Sequence, residues 1–541
     1  MNSFTRKVSI QVAISLVVCS AALPQGRPLD WPSLGGDAQR SGWEKVDSRI
    51  TPENVKDFQL VLKRKLENTE KGPHSLTPPV VIGLLISYRG FKELAFVAGS
   101  SDNMWAIDAD MDRVFWHKHF DSAKGKASGP CSNDVTATPA LLPPVNFAAR
   151  PRPGAPGARP TLTAPPAAGA PPASPTGRGI LGAGGFGAPR PTFAVSSDGK
   201  LHLMNTSTGD DVVPAVAFLP ANAKASSLIV VDGTVYTTTS PDCGAGTGGV
   251  WALDLNTPDA QVASFPLNEG SPSRHGGVAI GTDGTVYVQT GPGSLDPGSN
   301  KWANTLLALA PKTLKLGEYF TVSGASGAKS PLNLNVSTPT VFTHNGRDLI
   351  VTAGADGCLY LLDSKSVGGS DHKTPLYQTP PLTKGAGNGI WGGLSSWQDA
   401  KGTRWVFAPV WGPVNSELNL SANGAAPHGS LVAFKVEDNG EKTVLTPGWA
   451  SRDMNSPLPP VITSGVVFAL SAGEYDKDGR PNSSSRATLY AFDAGTGKEM
   501  YSTGNQVTAP GNLTGLAVAN GRVFFSTTDS TMYGFGVYME R

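Results

Sequence analysis

The sequence contains few charged residues, and this excludes one broad class of partner. Only 16% of the 541 residues are charged, and 44 basic side chains balance 43 acidic ones, so the formal net charge is +1. The basic residues are scattered along the chain, whereas nucleic-acid-binding proteins concentrate them on one surface. We therefore expect no nucleic-acid partner.

Cysteine and histidine are also scarce, and their spacing argues against several catalytic classes. The four cysteines include no Cys-x-x-Cys pair, so c-type haem attachment and cysteine-based zinc sites are unsupported. The eight histidines include no His-Glu-x-x-His motif, and no serine lies in a Gly-x-Ser-x-Gly elbow. The sequence therefore predicts no catalytic residue and no metal ligand.

The first 22 residues have the order of a secretory signal peptide. Arg6 and Lys7 precede an apolar run at Val8–Val18, and small residues follow at 20–22. The run is too short to span a bilayer in the mature chain, although a retained tethering helix is the alternative. Val18, just before Cys19, does not suit lipid attachment. We expect cleavage near Leu23, a periplasmic or secreted protein, and no transmembrane segment in the mature chain.

What the sequence has in abundance is glycine (64), proline (45) and an internal repeat. A β-strand, an Asp-Gly or related turn, a second strand of the form aromatic-Ala-hydrophobic-Asp, a small turn and an outer strand recur about eight times. Asp198-Gly199 and Asp356-Gly357 supply the positive φ that a tight hairpin turn requires. One such unit cannot bury both faces of its sheet, so neighbouring units must stack around an axis.

We therefore predict an all-β protein, an eight-bladed β-propeller of four-stranded antiparallel blades. The last copy lacks an outer strand, and a lone strand at Phe58–Leu66 is expected to complete it and close the ring. A β-solenoid or two sandwiches are the alternatives. The predicted organisation is a signal peptide (1–22), an entry segment (23–57) and the propeller (58–541). Within blade 2, the Pro/Ala/Gly-rich stretch 150–191 is expected to be a disordered insert.

The entry segment carries a family resemblance. Trp31–Leu66 resembles the start of pyrroloquinoline-quinone (PQQ) dehydrogenases, with Gly35-Gly36-Asp37, Arg40 and Ile50 in matching positions, and the repeats resemble the PQQ-propeller repeat. Asn54 and Val55 also match, and Phe58 stands where leucine is usual. The resemblance implies a quinoprotein alcohol dehydrogenase-like propeller over nearly the whole mature chain.

The same resemblance places the family's cofactor site, and this sequence departs from it. In that family PQQ stacks between a tryptophan and a disulfide of adjacent cysteines, and calcium bridges it to Glu, Asn and Asp side chains. Here no adjacent cysteines exist, the stacking tryptophan falls at Gly277, and a calcium-binding asparagine falls at Pro292. We therefore predict no cofactor, with PQQ plus calcium as the alternative.

The loops that join blades and the central hairpin loops should share one face, so their polar and aromatic residues can be pooled as ligand-binding candidates. On this face Cys131 and Cys243 could form a disulfide, whereas Cys358 should be a free, buried thiol. The pooled candidates are Asp134, Arg274, His275, Trp302, Trp391, Trp411, Glu474 and Asp476.

These observations lead to two functional hypotheses. The first is an exported platform for an unknown protein or small-molecule ligand, comparable in architecture to the propeller lipoprotein of the outer-membrane β-barrel assembly machinery. The alternative is a PQQ-dependent dehydrogenase with a divergent site.

Overall fold

A computed structural model describes residues 30–537, apart from 70–71, 88–89, 101, 121–136, 143–189, 241–247, 273–275, 323–336, 355, 385–387, 441 and 476–480. The predicted signal peptide and nearly all of the insert lie outside the described residues. Among the described residues, no helix is long and apolar enough to cross a membrane. The helices within these described residues are short 3-10 turns at Val55–Asp57, Pro297–Ser299 and Ser416–Leu418.

Eight small antiparallel sheets form the blades of a propeller, which confirms the predicted fold class. The first strands of neighbouring blades contact one another at seven of the eight junctions, including that of blades 8 and 1, so they surround a common axis. From the inside outwards, blade 1 comprises Val80–Ser87, Gly90–Gly99, Asn103–Asp108 and Arg113–His119, and blade 2 comprises Ala140–Leu141, Pro191–Val195, Lys200–Asn205 and Val216–Ala217. Blade 3 comprises Lys224–Ala225 with Ile229–Val231, then Thr234–Ser240, Gly248–Asp254 and Gln261–Leu267. Blade 4 comprises Ala279–Ile280, Val286–Gln289, Thr305–Leu309 and Leu316–Thr321.

The second half of the chain builds the remaining blades, with N-terminal strands added at two of them. Trp43–Glu44 runs parallel to the first strand of blade 7, and Gln59–Lys65 pairs antiparallel with Thr531–Gly536 as the outermost strand of blade 8. Blade 5 comprises Thr340–His344, Arg347–Ala353, Leu359–Asp363 and Tyr377–Gln378. Blade 6 comprises Gly389–Ile390 with Ser395–Gln398, then Arg404–Trp411, Gly429–Asn439 and Lys442–Ala450, with Ser421–Ala422 beside this last strand. Blade 7 otherwise comprises Val461–Thr463, Val466–Ser471, Thr488–Asp493 and Glu499–Ser502, and blade 8 comprises Ala517–Ala519, Arg522–Ser526 and Thr531–Gly536.

Blade 4 carries one addition, a small hairpin of Leu295–Asp296 and Lys301–Trp302 between its second and third strands. The Asp-Gly turns form as predicted. Gly199 has φ +82°, and a Cβ there would lie 2.0 Å from the carbonyl oxygen of Leu219, so only glycine fits. Gly357 adopts φ +76° in the equivalent turn of blade 5.

The hydrophobic core is divided among the interfaces between blades. Between blades 1 and 2, for example, Phe96 and Trp116 pack with Ala194 and Met204. The Trp116 indole also donates a hydrogen bond of 2.9 Å to the carbonyl oxygen of Thr206 in the next blade. Each blade therefore buries its apolar faces only by having a neighbour on both sides, as the repeat predicted.

Candidate functional site

Two faces of the propeller can be distinguished. The loop face is the side that carries the connections between blades and the hairpins that join second to third strands. The opposite side is called the hairpin face. The part of the entry segment at Trp31–Asp47, here called the plug, lies within the ring of first strands. Its Trp31 exchanges backbone hydrogen bonds of 2.8 and 2.9 Å with Val81 of blade 1, and its Pro32 accepts one of 2.8 Å from Leu141 of blade 2.

The plug continues around the axis and is bonded to the remaining blades. Backbone carbonyl oxygens of 38, 39, 41 and 42 accept hydrogen bonds from blades 4, 5, 6 and 7 in turn, at 2.7–2.9 Å. The Asp47 carboxylate accepts one of 2.6 Å from the N–H of Gly521 in blade 8. Blade 3 is reached by a side chain, Arg40. The plug therefore ties all eight blades together and occupies the channel.

Arg40 is the centre of this arrangement. Its side chain is buried, its Nε donates to the carbonyl oxygen of Val278 at 2.9 Å, and its Nη2 donates to the Ser227 hydroxyl at 2.9 Å. A third hydrogen bond reaches the carbonyl oxygen of Leu34. Burial lowers the pKa of Arg40 to about 9, against the opposing effect of Asp37, so the guanidinium is charged at neutral pH. Three neutral acceptors therefore hold a buried cation beside blades 3 and 4.

Next to Arg40 lies the glycine pair at which the family resemblance places the stacking tryptophan. The Ser227 hydroxyl donates to the carbonyl oxygen of Gly276 at 2.7 Å. Gly277 has φ +69°, and a Cβ there would lie 2.8 Å from the Ser226 Oγ and 3.0 Å from the Ser227 carbonyl oxygen. The position therefore has no room for a side chain, and the family's stacking ring does not fit there.

The calcium part of the family's site fits no better. Pro292, which stands at the position of a calcium-binding asparagine, has no side-chain oxygen to offer a hard cation. Within the described part of the chain, no three His, Cys, Asp or Glu side chains are grouped to hold a metal ion. The residues described here therefore do not reproduce the family's way of holding PQQ and calcium.

Two of the predicted ligand residues meet at the junction of blades 6 and 7. Trp391 interrupts the first strand of blade 6, and its ring centroid lies 6.0 Å from that of Trp411, with an interplanar angle of 45°. Trp411 Nε1 donates to the carbonyl oxygen of Pro457 at 2.9 Å, which fixes this ring against blade 7. Both indoles are half-buried, and both lie at the loop-face ends of their strands. The sequence placed these two residues on one face, and the structure brings them into contact.

Trp302 occupies a different environment. Only 1% of this residue is exposed, and its ring packs against Phe265 and edge-on against Tyr319 at 5.3 Å. It closes the base of the extra hairpin in blade 4, and it presents no open ring face to a ligand. Its role here is packing.

The other candidates divide into one described residue and a group outside the described residues. Glu474 is exposed in the loop between the second and third strands of blade 7, where its carboxylate accepts a hydrogen bond of 2.8 Å from Asn482 Nδ2. Cys358 is a buried free thiol, as predicted, and burial raises its pKa to about 12. Outside the described residues lie Asp134, Arg274, His275, Asp476, Cys131 and Cys243.

One constellation has no counterpart in the sequence analysis. In blade 2, Ser196 Oγ lies 3.0 Å from His202 Nε2, and His202 Nδ1 lies 3.1 Å from the Asp211 carboxylate. Ser196, however, is only 3% exposed, and its hydroxyl also donates to Asp198 at 2.5 Å. Because the hydroxyl proton has another acceptor and the oxygen is covered, this Ser-His-Asp set stabilises the Asp-Gly turn and offers no accessible nucleophile.

Comparison with known proteins shows the fold and little beyond it. No protein-family model and no curated protein matches the chain. Solved structures do match: quinohemoprotein alcohol dehydrogenase from Comamonas testosteroni (15% identity, TM-score 0.55) and quinohemoprotein alcohol dehydrogenase ADHIIG from Pseudomonas putida HK5 (13%, 0.56), each over 95% of this chain and 81% of its own. A europium-containing methanol dehydrogenase matches at 14% identity and TM-score 0.51, over 94% of this chain and 89% of its own. Sequence identities this low support a shared propeller and leave the site to this chain's own residues.

Proposed function

We propose that this chain is a ligand-binding propeller that takes a small ring-containing ligand at the loop-face mouth of its channel, against Trp391 and Trp411. The observation that carries the proposal is the tryptophan pair itself: a half-buried indole, Trp391, beside a second indole that is anchored to the neighbouring blade. Indole faces bind planar rings and sugar faces by stacking and by burial of apolar area.

A PQQ-dependent dehydrogenase is the second candidate. The three matching dehydrogenase structures favour it over a scaffold with no ligand, and Trp391 would accept a planar quinone as readily as a sugar. The lack of room at Gly277 argues against the family's stacking arrangement, so a quinone bound here would use a different ring contact. No catalytic step is assigned to it.

One titration separates these candidates. Purified protein is titrated with PQQ, with and without calcium chloride, and separately with cellobiose, while tryptophan fluorescence is followed. Trp391→Leu is the test variant, and Trp251→Leu, which removes another half-buried indole in blade 3, is the matched control. Saturable quenching that Trp391→Leu weakens at least tenfold supports the site; quenching that both variants retain places the ligand elsewhere.

Dye reduction in the same samples tests for an enzyme. Calcium-dependent PQQ binding with alcohol-dependent dye reduction would establish the dehydrogenase, and the binding platform would then be wrong. Binding of cellobiose or PQQ without dye reduction supports the platform. Absence of saturable binding by either probe would overturn the proposal of a ring-ligand site.

We further propose that the protein is exported, on the basis of the basic, apolar and small residues in that order at 6–22. N-terminal sequencing of protein expressed with its leader should find the chain starting near Leu23. Soluble protein that retains Met1 would contradict export by signal-peptide cleavage.

A further inference from the structure

The outer part of blade 1 brings two exposed histidines to the same side of its sheet. His117 and His119 alternate with Lys118 on the outermost strand, so both imidazoles point to the same side of the sheet. The cross-strand partners of His119 and His117 are Asn103 and Trp105, on the same side. We propose that His117, His119 and Asn103 form a binding site for a divalent transition-metal ion.

Both imidazoles already contact the same amide oxygen, that of Asn103. His117 Nε2 lies 2.8 Å from Asn103 Oδ1, and His119 Nδ1 lies 3.2 Å from the same oxygen. Asn103 Nδ2 donates to the carbonyl oxygen of Ser100 at 2.9 Å, which fixes the amide so that its oxygen faces the histidines. The His117 ring is stacked on Trp105 at 5.2 Å and 9°. Two of the three groups are thus oriented by neighbours that are not themselves ligands.

These separations are close to those between adjacent ligands of a metal ion: the 3.2 Å of His119 falls within the expected range, and the 2.8 Å of His117 is slightly shorter. With metal–ligand distances of about 2.1 Å, neighbouring ligand atoms in octahedral or tetrahedral coordination lie about 3.0–3.4 Å apart. A metal ion could therefore enter with small side-chain movements. Each neutral imidazole would only need to carry its proton on its other ring nitrogen.

The ligand types indicate which metals the site would take. Two imidazole nitrogens and one amide oxygen suit Zn²⁺, Ni²⁺ and Cu²⁺, whereas calcium and magnesium prefer sets made of oxygen. With three protein ligands the remaining positions would belong to water, so the ion would exchange readily. The site is formed by the third and fourth strands of blade 1, so it is separate from the axial position where the family resemblance implies calcium.

Calorimetric titration tests the proposal. Tag-free protein, first treated with EDTA and dialysed, is titrated with nickel chloride and with zinc chloride. Wild type should bind one equivalent, and His117→Gln and His119→Gln should each weaken binding at least tenfold. His428→Gln is the matched control, because His428 is also exposed and is bonded to Asp453 at 2.7 Å.

Thermal unfolding provides a second readout that does not depend on the calorimeter. Saturating zinc should raise the melting temperature of wild type and His428→Gln, and should leave the double variant His117→Gln/His119→Gln unchanged. Circular dichroism checks that the variants are folded. Equal binding by wild type and the double variant, or no binding by wild type, would overturn the site.

Discussion

Arg40 Nε donates a hydrogen bond of 2.9 Å to the carbonyl oxygen of Val278, and this bond joins the plug to the entrance of the first strand of blade 4. The same guanidinium reaches blade 3 through Ser227. An N-terminal segment thus stabilises blades that lie more than 180 residues away in sequence, because one side chain supplies donors to several carbonyl and hydroxyl oxygens at once.

Replacement of Arg40 should therefore destabilise the whole propeller. In Arg40→Met, the buried carbonyl oxygen of Val278 and the part-buried one of Leu34 lose their donors, and we expect the unfolding free energy to fall by about 2–4 kcal/mol. Urea denaturation followed by tryptophan fluorescence measures the change. Lys45→Met is the control, since the exposed Lys45 ammonium makes only a surface ion pair of 3.1 Å with Asp37. Equal midpoints for the two variants would show that the Arg40 bonds are not important for stability.

Much of this fold was predictable, because propeller blades leave a local signal. Alternating apolar residues and Asp-Gly turns repeat within each blade, so the sequence indicated the eight sheets and the turns at Gly199 and Gly357. The path of the plug left no such signal. Its bonds to the blades are made mainly by backbone groups, as between Trp31 and Val81, and backbone groups are the same for every residue type.

The candidate site was less predictable for a related reason. A tryptophan in a loop gives the same sequence pattern whether its ring is half-buried, as in Trp391, or fully covered, as in Trp302. Only the packing of Phe265 and Tyr319 around Trp302 distinguishes the two. Ser196 and Asp211, which meet through His202, follow no recognised motif spacing.

Gly277, which stands where the family resemblance places a stacking tryptophan, provides a direct test of the local geometry. Gly277→Ala introduces a Cβ at 2.8 Å from Ser226 Oγ on a backbone with φ +69°, and we expect about 2–4 kcal/mol of destabilisation. Gly346→Ala is the control: Gly346 has φ +78° but nothing within 4 Å of the new Cβ, so only the backbone cost of about 1 kcal/mol should appear. Urea midpoints of the two variants compare the costs. If Gly277→Ala is as mild as Gly346→Ala, blade 3 leaves room for a side chain.

Glu44 in the plug should make stability depend on pH. Burial raises its pKa from 4.5 to about 7, although a hydrogen bond of 2.9 Å from the Val46 N–H opposes the shift. Between these two values the folded state holds a proton that the unfolded state has lost. The contribution of this residue is therefore fully present below about pH 4.5, falls as pH rises, and is lost above about pH 7, a change of about 3 kcal/mol.

Glu44→Gln isolates this contribution, because the amide keeps an acceptor for Val46 and cannot ionise. We expect the variant to match wild type near pH 4.5 and to exceed it in stability at pH 8. Urea midpoints of both proteins at half-unit steps from pH 4.5 to 8 measure the difference. A difference that does not change with pH would contradict the raised pKa.

Arg522 tests the seam between blades 8 and 1. Its Nη1 lies 2.7 Å from the Glu93 carboxylate and 3.1 Å from that of Asp110, and Asn520 Nδ2 donates to the same Glu93 oxygen at 3.0 Å. Glu93 is fully buried and Arg522 is only 7% exposed. Arg522→Met therefore removes a buried cation from beside this buried carboxylate, and we expect a loss of about 3–5 kcal/mol of unfolding free energy. Lys384→Met removes an ion pair of similar length, 2.9 Å to Glu417, at a solvent-exposed site, where no measurable loss is expected. The two variants remove one cation each and differ mainly in burial. A large loss confined to Arg522→Met would therefore locate an important part of the propeller's stability at the seam where its first and last blades meet. Equal losses in the two variants would contradict this role of the seam.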